Sequence, residues 1–250
     1  MIVKLGVLLC FATVSPSNYK QVGDIQGITF ANASKEVYVP IREFGSVTGM
    51  PVEWHDAEQK ITFHTHEVDK KKLRKLWDGT NLMPLSELKG WGYNVVQDLG
   101  AGRVQVRFDE KEIVVDIPPK YVQVSLMHQE LRAWQGTRQI MMTNVSSGAP
   151  GNRTPQGSFK AGPAKNRHHY SRLYNNSYMP FAVQINGNIF IHGYKSVPRR
   201  PASHGCVRMP LTGKNAARYF FDWVSLGTPV DVVNDWTDQA RTLMAGTGTN

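Results

Sequence analysis

A chain of 250 residues with 41% hydrophobic and 10% aromatic side chains is longer than one average domain and has enough apolar surface for packed cores, which excludes a disordered chain. The formal charge of +9 suits an anionic partner such as a nucleic acid, an anionic lipid or an acidic wall polymer, and is equally met by a basic surface with no partner. No Lys/Arg-rich run typical of a nucleic-acid tail and no helix interleaving basic with aromatic residues accompanies it, so nucleic acid is not expected as a partner.

The chain begins Met1-Ile2-Val3-Lys4, followed by an apolar run from Leu5 to Val14 and by Ser15-Pro16-Ser17. A positive start, a short apolar core and small residues are the layout of a secretory leader, expected over residues 1–17. The apolar run is too short to span a bilayer. A periplasmic or cell-wall location follows as an expectation. Cleavage there would remove Cys10 and leave Cys206 as the one cysteine. Oxidising compartments normally pair thiols, so a lone exported thiol is either buried and inert or kept for chemistry.

Residues 26–116 contain an internal duplication. Val37-Tyr38-Val39-Pro40-Ile41-Arg42-Glu43-Phe44 leads to Met50-Pro51-Val52-Glu53-Trp54 and Lys60-Ile61-Thr62-Phe63. Asn81-Leu82-Met83-Pro84-Leu85-Ser86-Glu87-Leu88 leads to Tyr93-Asn94-Val95-Val96 and Arg103-Val104-Gln105-Val106-Arg107-Phe108. Each copy reads as a proline opening a short helix, then a turn and two alternating strands. The pattern resembles the small α+β module called the copper amine oxidase N-terminal-like domain, a resemblance that implies no copper. His64-Thr65-His66 would set two imidazoles on one strand face, more often plain polar surface than a metal site. Residues 109–119 read as a charged strand ending in a Pro118-Pro119 hinge.

Beyond the hinge, 120–234 reads as a second domain. Strands are expected at 121–126, 130–134 and 139–145. Thr212 is placed to cap a helix from Gly213 to about Val224, which Gly227 would end before a closing strand over 228–233. The stretch 235–250 is a polar tail. With 22 glycines and 14 prolines spread along the chain, the fold class is mainly β, with small α+β modules in front.

The chemistry concentrates in Ile189-Phe190-Ile191-His192-Gly193 and, ten residues after His192, Ser203-His204-Gly205-Cys206-Val207-Arg208. A thiol becomes a strong nucleophile as a thiolate, and a nearby imidazole is the usual proton acceptor. Gly205 permits a tight turn before the cysteine, and the N–H groups from His204 to Cys206 would then face the cleft as an oxyanion hole. Two other readings fit the same residues: a buried inert cysteine beside core histidines, and a zinc site of His192, His204 and Cys206 that lacks a clear fourth ligand.

His…Ser-His-Gly-Cys-hydrophobic-Arg resembles the signature of L,D-transpeptidases of the YkuD type. Ser147-Gly148-x-Pro150-Gly151-x-x-Thr154-Pro155-x-Gly157-x-Phe159, Met179-Pro180-Phe181 and Asn186-Gly187 extend the likeness. The resemblance implies a β-sandwich-like catalytic domain with no cofactor and no metal. It implies Cys206 as nucleophile on the tetrapeptide stems of peptidoglycan, His192 as base, and Gly193 as the third member through its carbonyl. Ser203, His204 and Gly205 would shape the oxyanion side, Arg208 would hold the site or a substrate carboxylate, and Met179 and Phe181 would line the donor cleft. Carbapenem β-lactams are the expected inhibitors. The thioester would be resolved by a stem amine to form a crosslink, or by water or a protein lysine; a non-catalytic wall binder would not need the Cys206/His192 pair. The spacer before Ser203 is short for the family, and glycine at 193 carries no hydroxyl. Lys165, Arg167, His168, His169, Arg172, Lys195, Arg199 and Arg200 gather near these motifs, either as plain surface charge or to attract anionic stems and wall polymers.

Overall fold

The computed structural model describes residues 19–236. The expected leader lies outside the described residues, as does the tail apart from Asp235 and Trp236. The described chain is mainly β, with three short α-helices.

In the N-terminal half each copy of the duplication has a leading strand, a helix and a hairpin. The first is Val37–Pro40, α1 (Ile41–Thr48), Val52–His55 and Lys60–Phe63; the second is Asn81–Pro84, α2 (Leu85–Gly90), Asn94–Asp98 and Arg103–Phe108. Pro40 and Pro84 stand just before the helices with extended backbone, where a missing N–H removes no helical bond. The leading strands pair antiparallel, Tyr38 with Pro84 and Val39 with Met83, so the copies meet about a local two-fold axis. Phe44, Phe63, Leu85, Leu88, Val104 and Val106 are buried in their shared core. Lys20–Gln26, not anticipated from the sequence, adds a strand parallel to Lys111–Asp116.

The diproline is not a free hinge. The Pro119 carbonyl accepts the Gly136 N–H at 2.9 Å, and the Pro118 carbonyl accepts Gln135 Nε2 at 3.2 Å. Those bonds pin the junction to the second domain. The halves also share apolar core: Ile28, Phe30, Tyr38, Leu76 and Leu82 lie in one buried cluster with Val124, Ile140, Phe220 and Trp223. Tyr219 stands edge-on to Phe30 at 6.1 Å and to Trp77 at 5.4 Å.

The C-terminal half is a sandwich. A five-stranded sheet runs Arg138–Asn144, Glu130–Gln135, Lys120–Ser125, Pro229–Val233, Gly157–Lys160. A four-stranded sheet runs Lys165–Ser171, Ser177–Asn186, Ile189–Tyr194, Val207–Pro210. Val122, Val124, Val230 and Val232 of the first share a core with Val183, Ile191, Val207 and Met209 of the second, and α3 (Ala216–Trp223) adds Phe220 and Trp223. The helix starts later than Thr212 suggested. Asn215 caps it, its Oδ1 accepting the Arg218 N–H at 3.0 Å, because the asparagine tolerates the left-handed φ of 50° needed at that corner.

Two lysines close the C-terminal end of α3, where carbonyl groups lack helical partners. Lys120 Nζ donates to the Trp223 carbonyl at 2.7 Å and Ser225 Oγ at 3.0 Å, and Lys165 Nζ to the Val224 carbonyl at 2.8 Å. Burial, with Lys165 adding, pulls the Lys120 ammonium down to about 7. Above that pH the unfolded chain holds a proton that the folded chain has released, so stability rises with pH toward the ordinary lysine value. Between pH 7.5 and 9.5, Lys120→Met is expected to flatten the stability–pH slope by up to ~1.4 kcal/mol per pH unit. Urea melts of both proteins at the two pH values check this; equal slopes would sink it.

Candidate active site

The site is built on a turn tied by two buried hydroxyls. Ser203 Oγ donates to the Cys206 carbonyl and accepts the Gly205 N–H at 3.1 Å. Thr154 Oγ1 donates to the Gly205 carbonyl at 2.7 Å and accepts the Gly148 N–H at 2.8 Å. Ser203 also exchanges backbone bonds with the upstream segment, donating to the Ser147 carbonyl and accepting from the Ala149 N–H. The Thr-Pro-x-Gly-x-Phe segment is thus the clamp on the cysteine turn. Gly205 has φ of +114°, and a Cβ there would come within 2.8 Å of Ile189 Cδ1, so only glycine fits.

Val207–Pro210 then runs parallel to Ile189–Tyr194, setting Arg208 beside His192. Cys206 and His192, both buried, open on one narrow cleft with Met179, Tyr194, Ser203 and Arg208. The Cys206 thiol donates to the Asn188 carbonyl at 3.6 Å, and its sulfur accepts the Phe190 N–H at 3.4 Å. His192 Nδ1 lies 2.8 Å from the Gly193 carbonyl, which requires the proton on Nδ1 and leaves Nε2 as a base. Burial pushes the imidazole down to about 4, opposed by the Gly193 carbonyl and reinforced by Arg208 and His169. Burial pushes the thiol up, against the Phe190 N–H and Arg208, which favour the thiolate. Both groups are therefore neutral at pH 7.

The glycine at 193 has a steric reason. A Cβ there would collide with the Leu211 Cδ2 methyl and come within 3.1 Å of Ala217 Cβ in α3, so a side chain would require Leu211 to move.

Several expected residues sit elsewhere than the sequence suggested. Phe181 does not line the cleft. Its φ of +55° breaks the strand alternation after Met179, and its ring packs on Phe221 at 5.9 Å. The His204 side chain stacks on Tyr174 at 4.6 Å and lines the cleft with it. Of the three N–H groups expected to face an oxyanion, that of Gly205 is taken by Ser203; those of His204 and Cys206 have no acceptor among the described residues. The same placement of His204 leaves the His192/His204/Cys206 zinc set unformed, and no group of three His, Cys, Asp or Glu converges among the described residues. Arg208 Nη1 donates to the Ala202 carbonyl at 3.0 Å, with its guanidinium 4.0 Å from the Tyr194 ring centre. Three of the basic residues are engaged locally: Lys165 is spent on α3, Arg167 pairs with Asp222 at 3.5 Å, and His169 stacks on Phe190 at 4.6 Å. Tyr194 and Tyr174, which the sequence reading omitted, line the cleft. Period-two spacing from His192 was signal enough for Tyr194; Tyr174 had none.

Residues 119–232 match the YkuD family model, the L,D-transpeptidase catalytic domain. The matched stretch contains the cleft, the clamp and the strands of both sheets of the sandwich. No curated protein matches the chain. Among solved structures, an L,D-transpeptidase from Stackebrandtia nassauensis is 26% identical over 46% of this chain and 55% of its own, with a TM-score of 0.42. One from Xylanimonas cellulosilytica is 29% identical over 47% of this chain and 61% of its own, also at 0.42. The chain therefore spans less than two thirds of those relatives. The LD transpeptidase LdtMt1, solved in complex with imipenem, is 20% identical over 89% of this chain and 98% of its own, with a TM-score of 0.41.

Thr154→Val keeps the volume and deletes both hydroxyl bonds, leaving the Gly205 carbonyl and Gly148 N–H unpaired in the interior. The expected loss is ~1–3 kcal/mol of stability with slower alkylation or acylation of Cys206. Thermal melts and iodoacetamide kinetics check this, and an unchanged protein by both would remove Thr154 from the clamp.

Proposed function

We propose that this protein is an L,D-transpeptidase that crosslinks peptidoglycan through a thioester on Cys206. The observation that carries the reading is the His192 imidazole, fixed by the Gly193 carbonyl with Nε2 unprotonated, in one cleft with the only cysteine among the described residues. The YkuD match over 119–232 supports the acyl donor class, stem peptides of the cell wall.

In the first half-reaction the thiol turns from Asn188 to His192, which takes its proton as sulfur attacks the carbonyl between the third and fourth stem residues. The oxyanion that forms is stabilised by N–H groups of the cysteine turn, those of His204 and Cys206 having no other acceptor among the described residues. The C–N bond breaks, the terminal D-amino acid leaves with the proton from His192, and a thioester remains. A stem amine then attacks the thioester, His192 accepts its proton, and the thiol is restored. The apolar leader and the lone mature cysteine support work in the periplasm or wall, and the charge of +9 suits anionic stems or wall polymers. A carbapenem would enter the same path and stop at the acyl-enzyme, as the imipenem complex of LdtMt1 suggests.

Intact mass spectrometry with imipenem is expected to show one adduct on the native protein and none on Cys206→Ala; a folded, reduced native protein without an adduct would refute the proposal.

The pH profile tests the neutral pair. A thiolate formed before attack would make the acylation rate fall tenfold per pH unit below the thiol pKa. Proton transfer to His192 during attack predicts a plateau that falls only toward pH 4, where the imidazole protonates. A limb near 6.5 would mean that His192 is solvated like a free histidine.

A further inference from the structure

The duplicated N-terminal module holds a groove of about 360 Å³ where its two copies meet. Its walls come in equivalent pairs: Met50 faces Tyr93, and the turn residue His64 faces Asp109, both with left-handed φ near 50°. The copies differ here in chemistry. Where the first has Met50-Pro51, the second has Tyr93-Asn94, so one arm has gained a phenol and an amide.

The rings are pre-arranged. Phe63, Trp91 and His66 form a parallel column, with Trp91 5.9 Å from Phe63 and 5.0 Å from His66, and Tyr93 stands across His66 at 6.3 Å. Phe63 anchors the column in the core, so the half-buried rings hold their angle without a ligand. The polar groups are under-used. The Tyr93 hydroxyl has only the Met50 thioether, 3.8 Å away, as partner, and the exposed Thr65, Asn94 and Asp109 side chains have no hydrogen-bond partner among the described residues. The one guanidinium is already compensated: Arg107 donates to Glu112 at 2.6 Å and lies 5.1 Å from the Tyr19 ring centre.

Fixed rings, an amide, hydroxyls and a carboxylate without excess positive charge suit a neutral polyhydroxyl ligand rather than an anionic one. Sugar rings offer apolar C–H faces to aromatic side chains and hydroxyls to planar polar groups. We propose that this groove binds a saccharide, the glycan strand of the same polymer whose stems reach Cys206. The identity of that polymer rests on the transpeptidase reading; the sugar chemistry does not. Both copies supply contacts, His66 and Thr65 from the first and Trp91, Tyr93 and Asn94 from the second, and the halves share an apolar core.

The probe is the soluble β-1,4-linked tetramer of N-acetylglucosamine, titrated calorimetrically into the full-length protein. Saturable binding is expected, weakened three- to tenfold by Tyr93→Phe and again by Asn94→Ala. Neither change touches the buried core, and both variants should keep the native melting temperature and the native rate of imipenem acylation. No heat at millimolar sugar, or equal binding by the native protein and both variants, would overturn the groove. Binding of a sugar-free stem peptide that these substitutions weaken equally would overturn its saccharide chemistry. Sugar binding with no imipenem adduct would leave the groove standing and remove the transpeptidase reading alone.

Discussion

Everything at the cleft depends on the turn from Ser203 to Cys206 being held by hydroxyls rather than by regular secondary structure. A turn with a left-handed glycine at its centre has backbone groups that no sheet can pair, and buried groups left unpaired would open it to water. Ser203 answers one side of the turn and Thr154 the other. Thr154 reaches it from a segment 51 residues upstream, so the clamp forms only once the sandwich has closed. Nucleophile placement and domain folding are thereby one event.

Burial then sets the chemistry. The apolar surroundings that hold Cys206 and His192 in place disfavour both charged forms, raising the thiol and lowering the imidazole. An ion pair would be the more reactive resting state, but a thiolate is also the species most readily oxidised. A neutral pair leaves the resting sulfur as the less readily oxidised thiol. The Phe190 N–H and Arg208 both favour the thiolate, and they assist at the moment when charge develops.

The N-terminal half shows how a duplication makes a groove without new architecture. Pairing of Val39 with Met83 places equivalent loops opposite each other, which makes a groove at the axis whatever the side chains are. Phe30 and Trp77 against Tyr219 tie this unit to α3, and Ala217 of α3 in turn lies against the His192 strand at Gly193.

The sequence by itself determined the Cys206 and His192 motifs, the mainly β fold and the two proline-led copies, because each rests on local signals: a short motif, period-two alternation, a proline before a helix. It also contained Thr154 within a recognisable segment, without saying what the threonine does. Only the tertiary structure decided that Thr154 clamps Gly205, that Phe181 turns from the cleft to Phe221, that His204 lies on Tyr174, and that the diproline is a packed junction. Those outcomes depend on which distant backbone arrives alongside. Composition alone could not tell that Lys165 would be spent on the end of a helix, Arg167 on Asp222 and His169 on Phe190. A charge count treats such residues alike, whereas their partners come from strands and helices dozens of residues away.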